Sequence, residues 1–161
     1  MQSRRVSLTV NGERVERDVP VRLNLVDFLR GELGFTGSHV GCEHGVCGAC
    51  TVRIEGEPVR GCLMLAVQAD GTVVETIEGL SESGAISDLQ EAFIARNALQ
   101  CGYCTPGFLV TALDYIERGG SVDRAAIREH ISGNYCRCTG YQAIVEAIAD
   151  VAAARDAGGG P

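Results

Sequence analysis

Cys42, Cys47 and Cys50 are spaced C-x4-C-x2-C inside the stretch GCEHGVCGAC, and Cys62 follows after eleven further residues. Four thiolates so close in sequence are a ligand set for a 2Fe-2S cluster or for zinc. Gly41, Gly45 and Gly48 allow the backbone to wrap tightly and to aim N–H groups at sulfur, which suits an anionic centre. A second set lies in QCGYCTPG and NYCRCTGY, where Cys101, Cys104, Cys136 and Cys138 form a C-x2-C and a C-x-C. Thr105 and Thr139 are predicted to cap helices, so each of these turns should present unpaired N–H groups and a positive helix end to the sulfurs. That polarity favours an iron-sulfur cluster in the second set, with zinc as the alternative at both.

The C-x4-C-x2-C spacing is that of plant-type ferredoxins, except that Cys62 lies much nearer than their fourth ligand. Structural zinc more often uses two short cysteine knuckles. His44 lies inside the first loop, but a Rieske centre needs two histidines, and His44 is read as exposed. His39 and His130 have no partner pattern and are read as surface residues. Arg137, between two ligands, is either solvated or a partner contact. No nucleophile with a base, no acid/base carboxylate pair and no phosphate loop stands out.

The 161 residues include eight cysteines, no tryptophan and no lysine, with a net charge of −7. This acidity, with no cluster of arginines, argues against a nucleic-acid partner. No stretch approaches the ~20 apolar residues of a membrane span, and the N-terminus does not resemble a secretory signal. A cytoplasmic location is expected, where cysteine clusters bind metal more often than they form disulfides.

The supporting elements follow from patterning. RVSLTV and ERVERDV alternate around Asn11-Gly12 as a hairpin. Asn24 caps a helix whose Leu25, Phe28, Leu29 and Leu33 share a face, and Gly34 ends it. CTVRIEGEPVRGC reads as a second hairpin turning at Glu55-Gly56, and a last strand is expected near Val73-Val74. From about Leu80 the pattern becomes helical. Four helices are predicted, with Ser87 (Gln90 in the capping-box position), Thr105 (Pro106 at the first helical position), Ser121 and Thr139 as caps. Their apolar positions include Ile86, Leu89, Phe93, Ile94 and Leu99. The fold class is α+β: residues 1–79 form a mixed sheet packed on one helix, residues 80–154 form an all-α unit, and 155–161 is expected to be a disordered tail.

Taken together, the first loop, QCGYCTPG and CRCTGY are very similar to the iron-sulfur small subunits of the molybdenum hydroxylases, the family of xanthine dehydrogenase, aldehyde oxidoreductase and bacterial carbon monoxide dehydrogenase. The resemblance spans about residues 5–153. It implies a β-grasp ferredoxin-like domain followed by a four-helix domain with pseudo-two-fold symmetry, each holding a 2Fe-2S cluster. It also implies a large subunit with a molybdopterin cofactor, often the cytosine dinucleotide form, a medium FAD subunit, and a heterotrimer that dimerises. Electrons would pass from molybdenum through the helical-domain cluster, then the ferredoxin-domain cluster, to FAD. Gln100 and Cys138 would lie against the pterin, Cys138 serving also as a cluster ligand. The competing readings are a free two-cluster ferredoxin and a zinc-stabilised interaction module.

Overall fold

The computed structural model describes residues 2–158. Strands β1 (Ser3–Val10) and β2 (Glu13–Pro20) pair antiparallel with Val10 opposite Glu13. Asn11 and Gly12 turn between them at φ of 50° and 84°, the double positive φ that a two-residue hairpin requires. Val6, Leu8 and Val10 point to one face and are buried, each worth about 1.5–3 kcal/mol of apolar burial. Strands β3 (Thr51–Ile54) and β4 (Glu57–Arg60) form the second hairpin, and β5 (Val73–Glu75) sits between the hairpins, parallel to β1 and antiparallel to β3. The order is β2-β1-β5-β3-β4. Across this sheet lies α1 (Leu25–Asp27), which widens into a π turn over Phe28–Glu32. Asn24 caps it by accepting from the Asp27 N–H at 2.8 Å, and Leu25, Phe28 and Leu29 complete the core of the sheet.

The second half is helical: α2 (Ile77–Glu82), α3 (Ser87–Ala95), α4 (Thr105–Glu117), α5 (Arg124–His130) and α6 (Gln142–Gly158). The patterning pointed to four helices; α2 is the addition, too short to show a period. Every residue of α4 from Gly107 to Ile116 is buried, so this helix is apolar all round because other elements surround it.

The predicted caps shift. Cys104, not Thr105, is the N-cap of α4, and it makes no side-chain cap bond. Asp123, not Ser121, caps α5 by accepting from Ala125 and Ala126 N–H. Ile86 precedes α3 in place of Ser87, Gln90 bonds the Ser81 hydroxyl, and the helix ends before Leu99. Thr139 caps nothing, since α6 begins only at Gln142. Polar residues near a helix start lose the cap position when a nearby turn or ligand-bearing loop claims them. Residues 155–158, expected in the disordered tail, belong to α6. The Arg155 guanidinium reaches Asp88 at 2.7 and 2.9 Å and extends the helix; the rest of the expected tail lies outside the described residues.

The sheet unit and the helical unit share a dense seam. Arg60 donates to the Thr51 hydroxyl (2.6 Å) and to the Gly133 carbonyl (2.7 Å), and Arg53 reaches Glu117 at 2.7 Å. At its centre, a Cβ on Gly107 of α4 would collide with the carbonyl oxygen of Gly48 in the cysteine loop. Only glycine allows that approach. Gly107→Ala is therefore expected to cost about 1–3 kcal/mol by overpacking, lowering the melting temperature by about 2–4 °C per kcal/mol. Gly31→Ala, where an added Cβ meets nothing within 4 Å, should stay within about 0.5 kcal/mol. Thermal unfolding of the two metal-loaded variants checks this, and equal melting points would remove the role given to Gly107.

Candidate metal centres

The loop carrying Cys42, Cys47 and Cys50 is shaped by side chains that bond its main chain. Arg30 donates to the carbonyls of Thr36 (2.6 Å) and Ser38 (2.7 Å), and Glu78 accepts from the Gly37 N–H at 2.7 Å. Glu43, Gly45 and Gly48 adopt φ of 59°, 82° and 75°, and the Thr51 hydroxyl donates to the Gly48 carbonyl at 2.6 Å. The β3–β4 hairpin returns the chain so that the Gly61 N–H bonds the Cys50 carbonyl at 3.1 Å, which sets Cys62 beside Cys50.

The four thiols stand as two pairs. The Cys47 N–H donates to Cys42 Sγ at 3.4 Å; this and the contacts from His44 and the Cys47 thiol bring the Cys42 thiol down to about 6. Burial first, then the Cys50 thiol, pushes Cys62 up to about 11. His44 is exposed, as expected, with Nδ1 turned to the Cys42 carbonyl.

The second set is also paired, and its pairs cross the motifs. Cys101 Sγ lies 3.6 Å from Cys138 Sγ, and Cys104 is hydrogen-bonded to Cys136. Gly102, at φ 79°, closes the turn that ends in the Thr105 N–H to Gly102 carbonyl bond at 3.2 Å. Burial, then the Cys136 thiol, pushes Cys104 up to about 12. Cys136 is also raised by burial, but its net shift is downward because the Thr139 hydroxyl (3.1 Å) and N–H (3.4 Å) both donate to its sulfur. The bond with Cys101 raises Cys138. Thr139, expected as a cap, is thus a sulfur donor. Gln100 Nε2 donates to the Cys138 carbonyl at 3.2 Å on the exposed side of the site.

These donors fit two-iron centres. A cavity of about 170 Å³ is lined by Cys101, Cys104, Cys136 and Cys138, and by Gly41 and Cys47 of the first loop. It has space for several atoms, at about 30 Å³ for one water. Among the described residues no group of three or more His, Cys, Asp or Glu is arranged to hold a single metal ion. Paired thiols instead offer one pair per iron. Without metal, neighbouring thiols hold one another's protons; iron is the positive charge that lets all of them ionise.

Several contributors gave no sequence signal. His39, read as a surface residue, stacks on Tyr103 at 4.5 Å and bonds its carbonyl through Nδ1 at 2.7 Å. The Tyr103 hydroxyl donates to the Val40 carbonyl at 2.7 Å, joining the two cysteine regions. His130, also read as surface, pairs with buried Asp114 at 3.0 Å. The Tyr141 hydroxyl accepts from the Cys136 N–H at 2.9 Å, and Asn134, 2% exposed, sits in the seam. Only the position of Asn134 and Tyr141 on either side of C-x-C hinted at them.

Comparison with known proteins agrees with this geometry. A 2Fe-2S iron-sulfur cluster binding domain model matches residues 8–76, and a second 2Fe-2S binding domain model matches residues 76–149. The caffeine dehydrogenase subunit gamma of Pseudomonas sp. (strain CBB1) is 56% identical over 94% of this chain and 92% of its own length. The 6-hydroxypseudooxynicotine dehydrogenase complex subunit beta of Paenarthrobacter nicotinovorans is 50% identical over 97% of this chain and 98% of its own. A chain in the crystal structure of quinoline 2-oxidoreductase from Pseudomonas putida 86 superposes with a TM-score of 0.91 at 48% identity, covering 99% of each chain.

Two predictions follow from the thiol geometry. Cys50→Ala should remove two of about four irons and one of two reduced-state EPR signals, leaving the other signal in place; loss of neither would exclude Cys50 as a ligand. Thr139→Val removes a donor that favours the more negative reduced centre, so the midpoint potential of one centre should fall by about 40 mV, a bond of about 1 kcal/mol converted at 59 mV per tenfold. An EPR-monitored redox titration reads it, and an unchanged potential would show that the bond carries no weight.

Proposed function

This chain belongs to the small iron-sulfur subunits of the molybdenum hydroxylases, and on that footing we propose that it relays electrons singly from a molybdopterin-bound molybdenum subunit to a FAD subunit. The carrying observation is the presence of two paired-thiol sites on opposite sides of one continuous seam. When bound, two 2Fe-2S clusters supply one-electron redox chemistry; the chain's own residues hold, space and tune them. Cys42, Cys47, Cys50 and Cys62 would hold one cluster, and Cys101, Cys104, Cys136 and Cys138 the other.

In this reading Gln100 and Cys138 face the pterin, whose nucleotide is the cytosine form, and the complex is a heterotrimer that dimerises. Gln100 supports that assignment by being exposed and bonded to the Cys138 main chain. The thiols of both sites are taken up as metal ligands in this reading, and substrate chemistry is assigned to the partner. Relatives named for caffeine, 6-hydroxypseudooxynicotine and quinoline point to a nitrogen heterocycle as the complex's substrate class. No helix among the described residues is long and apolar enough to cross a membrane, and all eight cysteines are free, which supports a reducing compartment, the cytoplasm.

A free shuttle protein is less consistent with the surface. Val46, Leu63 and Leu65 are exposed beside the first loop, and Tyr103 and Tyr135 beside the second, an apolar fringe suited to permanent subunit contacts. Purification from the native host is expected to yield the chain with flavin and molybdenum subunits, with about four irons per chain and two distinct 2Fe-2S signals after reduction. A functional monomer with both signals would favour the shuttle. Zinc with little iron would sink both.

A further inference from the structure

Among the described residues the two cysteine sets are joined by one main-chain hydrogen bond. The Tyr135 N–H donates to the Cys47 carbonyl at 2.9 Å. Cys47 belongs to the first set, and Tyr135 immediately precedes Cys136 of the second. The bonded route between the sets therefore leaves the Cys47 side chain, crosses one hydrogen bond, and arrives at the Cys136 side chain after a single intervening residue. The cross-links through side chains, from the Tyr103 hydroxyl to the Val40 carbonyl, between His39 Nδ1 and the Tyr103 carbonyl, and from Asn134 Nδ2 to the Gly48 carbonyl, are longer routes, because each runs through a side chain or meets the chain further from a cysteine.

What holds this bridge is Asn134, the residue before Tyr135. Its side chain is buried and bonded at both ends: Nδ2 donates to the Gly48 carbonyl at 3.3 Å, and Oδ1 shares the Thr111 hydroxyl proton, at 3.0 Å, with the Gly107 carbonyl of α4 at 2.9 Å. Gly48 directly follows Cys47, and Thr111 lies in the buried stretch of α4. The space is closed, since a Cβ on Gly48 would stand 2.6 Å from both Asn134 Nδ2 and the Gly133 carbonyl. One amide thus ties the residue after Cys47 and the residue before Tyr135 to the same rigid helix. A buried amide with both ends satisfied has little freedom to shift, because either end left unpaired is costly.

We propose that Asn134 is a positioning residue for electron transfer between the two centres: by clamping Gly48 to α4 it fixes the Tyr135 N–H to Cys47 carbonyl bond through which the route passes. The proposal rests on the relay reading above. The step is one electron leaving one centre and entering the other, so one is oxidised as the other is reduced, with no bond made or broken and no proton moved. Asn134 touches neither centre and acts through the geometry of the bridge.

The test uses the complete holoenzyme complex carrying Asn134→Leu, of similar volume with neither bond, and Thr111→Val, which removes only one of the two. Iron content, midpoint potentials and the EPR signals of both centres are measured first, then the magnetic interaction between the two reduced centres and the rate of electron equilibration between them after pulsed reduction. Asn134→Leu is expected to keep both signals and potentials, weaken the interaction, and slow equilibration severalfold; Thr111→Val should slow it less. Unchanged rate and interaction in a fully loaded Asn134→Leu complex would overturn the proposal. If that variant loses a cluster, Thr111→Val decides: a wild-type rate overturns the proposal and a slowed one supports it. A wild-type complex with a single centre, or with none, would instead overturn the relay reading.

Discussion

Gly48 and Gly107 meet with no side chain between them, and most of the molecule's arrangement depends on that contact. The Gly48 carbonyl can approach α4 only because Gly107 offers no Cβ, and Gly48 can turn there only because its φ of 75° is open to glycine. The approach brings the first cysteine loop against the helix that starts at Cys104. It also makes a deep, polar joint in which Asn134 and Arg60 find partners across the seam, Thr111 bonds Asn134 and its own helix, and Thr51 bonds Gly48 and Arg60 of its own unit. Two units of this size joined by an apolar contact alone would be free to slide. A joint made from carbonyls and a single amide has one register.

The electrostatics of the cysteines explains why the loops are built so heavily from main-chain donors. Thiols held as near as 3.6 Å oppose one another's ionisation, and burial adds to the penalty at Cys62 and Cys104. Against this the chain sets the Cys47 N–H on Cys42 and both donors of Thr139 on Cys136. In each set one thiol is thus shifted toward its anion, Cys42 and Cys136, while another, Cys62 and Cys104, is shifted toward its protonated form. Cations would balance the charge at either set, and the fold holds the thiols in place without them because they hang from a sheet hairpin and from the ends of packed helices.

Legibility varied with how local the determining interaction was. The hairpins at Asn11-Gly12 and Glu55-Gly56, the Asn24 cap and the break at Gly34 depend on residues within a few positions, and all are present. The caps at Ser87, Thr105, Ser121 and Thr139 depended on how neighbouring loops were pulled by other elements, and each moved. Thr139 is the clearest case, since its hydroxyl and N–H turn to the Cys136 sulfur and the helix begins three residues later. The histidines erred for the same reason: His39 and His130 found partners 64 and 16 positions away, in Tyr103 and Asp114. The helical tail past Arg155 likewise depends on Asp88, across the domain.

What the sequence determined alone is the chemistry: eight cysteines in two spaced sets, glycines that let the chain close on sulfur, and a period that changes from strands to helices near Leu80. Ligand type and spacing are covalent facts, and they survive any arrangement of the rest. What only the tertiary structure decided is the pairing of thiols across motifs, the joint between Gly48 and Gly107, and the single hydrogen bond from Tyr135 to Cys47. Those depend on contacts between residues as many as 88 positions apart, such as Tyr135 and Cys47, and no local pattern encodes a distance that folding has to create.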